Sequence, residues 1–81
     1  MKITQVFNGY IDATFLGVVV EFKLGQKVFS AYVDLLRDED KLNSPTEVFD
    51  DESTLPVQVP PAYLTQILKA ALKYKKSYTN S

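Results

Sequence analysis

Apolar and polar positions alternate along Thr14–Leu36 in two runs, TFLGVVVEFKL and KVFSAYVDLL, joined by Gly25-Gln26. A period of two marks β-strands, and a two-residue loop that begins with Gly suits a type II′ hairpin turn. The turn sets the register. Leu24 faces Lys27, Phe22 faces Phe29, Val20 faces Ala31, Val18 faces Val33 and Leu16 faces Leu35. All five pairs share one side of the ribbon, because side chains alternate along a strand. A slip of one residue would move this row into water, so the register is strongly specified.

Upstream, KITQVF reads as a strand over residues 2–7, and Asn8-Gly9 is the strongest short hairpin signal. That turn sets Phe7 against Tyr10, Gln5 against Asp12 and Ile3 against Thr14. The next strand then runs from Tyr10 through Leu24, with Gly17 as the natural place for a bulge. Residues 37–54 break the alternation and read as an acidic loop. Within it Ser44-Pro45-Thr46-Glu47 is a capping box, which starts one helical turn and carries Val48 and Phe49 inward. LPVQV, residues 55–59, reads as a short strand, with Pro56 marking an edge or a strand start. Pro60-Pro61 stops it and opens a helix over about 61–77. Tyr63, Leu64, Ile67, Leu68, Ala71, Leu72 and Tyr74 form its apolar stripe, and Thr65, Lys69, Lys73 and Lys76 its polar face. Residues 78–81 are expected to fray.

The expected fold is α+β: an antiparallel meander of three to four strands with one C-terminal helix on one face, in the order β-β-β-loop-β-α. The helix covers the face of Val18, Val20, Phe22, Phe29 and Val33. The other face carries Phe15, Val19, Val28, Tyr32 and Leu36 beside Glu21, Lys23, Ser30 and Asp34, with no second helix to cover it. An apolar patch of this kind is usually covered. The loop, the N-terminal strand, a second copy or a partner are the candidates, and a twofold dimer is the commonest oligomer.

Composition narrows the chemistry. The 81 residues make one domain and include neither Cys nor His. This excludes disulfides, Cys- or His-based zinc sites and the usual nucleophile–base arrangements. No cofactor is expected. The three glycines are widely spaced, at Gly9, Gly17 and Gly25, and form no phosphate loop. Counting an EF-hand from Asp38 puts Asn43 sixth and Phe49 twelfth, where Gly and Glu are required. The expectation is no enzyme and no metal site. The N-terminus lacks a signal-peptide apolar stretch, no segment approaches ~20 apolar residues, and the absence of Cys fits a reducing cytoplasm.

Net charge is −1, but its distribution is uneven. Asp34–Glu52 holds eight acids and two bases, and Lys69–Lys76 four lysines and no acid. Such asymmetry points to an interaction surface. The expected function is a small protein–protein interaction module, of the kind found as viral or mobile-element accessory or inhibitor proteins. Its acidic loop (Asp38, Glu39, Asp40, Asp50, Asp51, Glu52) would meet a basic groove. Phe15, Val19, Val28 and Tyr32 would form the partner or dimer interface. The alternative is a dimeric single-stranded nucleic-acid binder using Tyr32 on the sheet with Lys69, Lys73 and Lys76 on the helix. The ending LPVQVPPAYLTQILKAALK is loosely similar to that of a family of ββββα transcriptional coactivators that bind single strands as dimers; the likeness spans about the last quarter of the chain, and no residue role is carried over. A structural subunit of a larger assembly is the third reading.

Overall fold

A computed structural model describes residues 1–79. Four antiparallel strands form one open sheet in sequence order: β1 (Lys2–Ile11), β2 (Phe15–Leu24), β3 (Lys27–Leu36) and β4 (Glu47–Asp50). One helix, α1 (Pro61–Thr79), follows. The architecture is α+β, with the helix packed on one sheet face. Among the described residues no helix is long and apolar enough to cross a membrane.

The β2–β3 hairpin has the expected register throughout, from Leu24↔Lys27 to Leu16↔Leu35. Gly25 turns it with φ of 63°, the left-handed region that Gly enters at little steric cost. The inward row meets α1 through Ile67 and Ala71, and Val48 of β4 completes the buried cluster. Phe22 and Phe29 stack at its centre, with ring centroids 5.4 Å apart.

Three expectations are corrected. First, Asn8-Gly9 is not a turn: β1 runs straight through it, and the chain reverses at Asp12–Thr14. The Asp12 carboxylate accepts the N–H groups of Thr14 and Phe15 at 2.8 and 2.7 Å, and the Arg37 guanidinium donates to the Asp12 carbonyl at 2.7 Å. The Asp12 carboxylate thus satisfies two N–H groups of the turn, and Arg37 the carbonyls of Asp12 and Thr14. The turn also replaces the mixed pairing of Gln5 with Asp12 by Val6↔Val20 and Ile3↔Phe22. Gly9 instead falls where the β1–β2 register shifts, as does Thr4. The irregularities therefore lie on β1, while Gly17 pairs regularly with Asp34.

Second, Ser44–Glu47 starts no helix. Glu47–Asp50 pairs with β3 as the fourth strand, so Val48 is buried opposite Ala31 while Phe49 faces the other way. Third, residues 55–59 do not form the fourth strand. They follow β4 with one isolated bridge, Phe49↔Pro56, and one bond from Val57 N–H to the Val48 carbonyl at 2.9 Å. Pro56 has no N–H with which to continue a ladder. Leu55 is 63% exposed, whereas Val57 and Val59 pack against the core. The helix extends past residue 77 through Tyr78 and Thr79; residues 80–81 of the expected frayed tail lie outside the described residues.

Candidate interaction surface

The sheet face away from α1 is built row by row from the register. Phe7, Val19, Tyr32 and Glu47 stand side by side across all four strands. The adjacent row is Tyr10, Gly17 and Asp34. Tyr32 is 50% exposed, Tyr10 48% and Phe7 42%, large values for aromatic side chains on a regular sheet. Phe49 meets Tyr32 edge-on, with centroids 5.5 Å apart and ring planes at 75°, a favoured aromatic geometry. Phe15, Val28 and Leu36 are half-buried and Val19 is buried. β1 extends the sheet and adds Phe7 and Tyr10 to this face, and the β3–β4 loop stands beside Asp34 through Asn43 and Ser44 while Tyr32 stays half-exposed.

Gly17 makes the second row possible. A Cβ there would come within 2.3 Å of the Tyr10 ring, so the missing side chain lets that ring lie across β2. The Tyr10 hydroxyl then donates to the Asp34 carboxylate. Asp34 also accepts from Asn43 Nδ2 at 2.9 Å and Ser44 Oγ at 3.1 Å. Burial opposes its ionisation, but the bonds from Tyr10, Asn43 and Ser44 outweigh burial and hold its carboxyl below the ordinary range. The hydrogen bond to Asp34, with smaller help from burial and charge, pushes the Tyr10 phenol up to about 12. The pairing of Tyr10 with Asp34 is not legible in the sequence, because it depends on β1 continuing past Asn8-Gly9.

Two open grooves flank Tyr32. One, of about 230 Å³, is lined by Tyr10, Tyr32, Asp34, Ser44, Pro45 and Glu47, with Val19 between the two tyrosines. The other, of about 550 Å³, lies between Tyr32, Phe49, Asp51 and Thr54.

The six acids expected to act as one loop fall into two groups. Asp38, Glu39 and Asp40 lie beyond the Leu36 end of β3, where the buried Lys75 ammonium donates to the Glu39 carbonyl at 2.6 Å and to Asp40 at 3.2 Å. Asp50, Asp51 and Glu52 lie near Val28, whose carbonyl accepts the Asp51 N–H at 3.0 Å. Eight residues of strand separate these ends, about 26 Å at ~3.3 Å per residue. Asp50 is a buried structural residue: its carboxylate accepts the Glu52 N–H at 2.9 Å and lies 3.6 Å from Lys27. The Glu52 N–H is the main cause holding its carboxyl low. Asp51 accepts the Ser30 hydroxyl at 2.6 Å. Lys69, Lys73 and Lys76 are exposed on α1, across the sheet from Tyr32. The structure therefore does not bring the residues of the nucleic-acid alternative onto one surface.

Among the described residues no group of three or more carboxylates is placed to hold a metal ion. Compared with protein-family models, characterised proteins and solved structures, the chain has no significant match.

Proposed function

We propose that this chain is a non-enzymatic protein-interaction module whose working surface is the helix-free face of its sheet. The observation that carries the reading is the row Phe7–Val19–Tyr32, extended by Tyr10 and Phe49. Three of these aromatics are two-fifths to one-half exposed, although the chain has a core in which to bury such residues. Tyrosine and phenylalanine on a rigid strand lose little side-chain entropy on docking, which is why aromatics anchor interfaces. The non-enzymatic part rests on composition: the chain has neither His nor Cys, so the usual nucleophile–base arrangements cannot be assembled.

A photo-crosslinking residue placed at Tyr32, and in a separate variant at Lys69, tests the reading in the source cells. The expected result is a discrete protein adduct from position 32 and none from position 69. A nucleic-acid adduct from either position, or protein adducts from position 69 alone, would overturn it.

A further inference from the structure

The smaller groove has a size and chemistry of its own. Its volume of about 230 Å³ is below the ~300–1,000 Å³ of small-molecule sites, so it suits one side chain better than a nucleotide or a cofactor. Its lining includes two phenol rings, Tyr10 and Tyr32, and two carboxylates, Asp34 and Glu47, with no Lys or Arg. Asp34 is oriented by three hydrogen bonds, from Tyr10, Asn43 and Ser44. The Glu47 carboxylate has no hydrogen-bond or ion-pair partner among the described residues. The groove therefore presents two negative charges and two π-faces with no cation of its own. The Tyr10 ring, lying over Gly17, forms one wall, and the approach for a long side chain runs between it and the half-exposed Tyr32.

We propose that this groove is a socket for an arginine side chain presented by a partner protein. A guanidinium matches both halves of the lining, because it stacks on aromatic faces and pairs with carboxylates through a planar fork of donors. A second copy of this chain is the poorer occupant. The chain has one arginine, Arg37, and its guanidinium is already engaged by the Asp12 carbonyl at 2.7 Å. A face-to-face copy would also bring its own Asp34 and Glu47 toward these carboxylates. The inference rests on the reading of the helix-free face as a partner surface and names the group recognised there.

The test is an NMR titration of the ¹⁵N-labelled protein with a capped Gly-Arg-Gly-Arg-Gly peptide and with the same peptide carrying citrulline for arginine. Citrulline keeps the shape and removes the charge. The expected result is saturable shifts at Gly17, Asp34 and Glu47 with the arginine peptide, and at least about five-fold weaker binding of the citrulline peptide. Glu47→Gln and Tyr32→Ala should each weaken the arginine peptide by about two- to five-fold, the range of a partly exposed cation–π or ion-pair contact. Glu52→Gln, outside the groove, should leave it unchanged. Equal response to both peptides, or shifts centred on Asp38–Asp40, would overturn the proposal. If the peptides fail while position 32 still crosslinks to a protein, the arginine socket falls alone. If crosslinking from position 32 fails as well, the reading of the face falls with it.

Discussion

At the scale of single residues, Gly17, Tyr10 and Asp34 act as one unit. Tyr10→Phe removes the hydrogen bond, and Gly17→Ala displaces the ring that makes it, since the added Cβ would sit 2.3 Å from Tyr10 Cε1. A phenol ionising at about 12 should be present in the alkaline absorbance titration of the wild type and missing in both variants. The sign for stability follows from the raised folded-state pKa. The Tyr10 contribution is complete below the ordinary value of 10.0 and is lost as pH rises from there toward about 12. The double variant should show less than the sum of the two single losses, because both remove one interaction. Thr54 makes a separate prediction. It is a β-branched residue at φ 61°, a conformation L-residues adopt at a cost. Thr54→Gly should raise stability by about 1 kcal/mol, read from the urea midpoint; an unchanged or lower midpoint would refute the strain.

At the scale of elements, α1 shows how one helix serves both packing and loop order. Ile67, Ala71 and Lys75 follow each other at i, i+4 and i+8 and are all buried. The lysine ends the apolar stripe and turns its ammonium to the β3–β4 loop. Lys75 belongs to the buried face, although its charge suggests the basic one; the helical spacing from Ile67 was the available signal. Ile67→Ala should cost about 2–4 kcal/mol in chemical denaturation, a large fraction of the stability of a domain this small. Lys75→Met keeps the stem and removes the ammonium. Its expected effect is local: faster amide exchange over Asp38–Lys41, with exchange in β2 and β3 little changed. Global loss of protection would mean that the lysine supports the whole core instead.

At the scale of the whole molecule, structural carboxylates tie the ends of the sheet. Asp12 closes the β1–β2 turn, Asp34 anchors the β3–β4 loop through Asn43 and Ser44, and Asp50 caps the turn after β4. The N–H groups of Phe15 and Thr14 hold Asp12 low, and all three carboxyls are lowered in the fold. The unfolded chain therefore binds protons first as pH falls. Stability from these groups is complete above the ordinary carboxyl value of ~3.9 and is lost as pH drops through it toward the folded values. The urea midpoint should be nearly flat from about pH 7 to 5 and fall below about pH 4. Asp50→Asn, which keeps an acceptor oxygen but cannot ionise, should make that fall shallower. A midpoint that declines equally in wild type and variant would exclude Asp50 from the effect.

The sequence by itself determined the β2–β3 hairpin, the α1 stripe and the existence of a face that no helix covers. Those features rest on local chemistry: a Gly turn with period-two alternation, and apolar spacing near 3.6 after a double proline. Tertiary structure decided the rest. Asn8-Gly9 has the composition of a turn, yet the longer strand was preferred because it sets Ile3 and Val6 against Phe22 and Val20 while Asp12 satisfies a turn of its own. Glu47–Asp50 became the fourth strand, instead of residues 55–59, because Val48 fits opposite the small Ala31 whereas Pro56 lacks the N–H that continued pairing needs. The groove between Tyr10, Tyr32, Asp34 and Glu47 draws on all four strands. Its members lie far apart in sequence, and only the pairing register, which depends on which alternative buries more apolar surface and leaves fewer backbone groups unpaired, places them together.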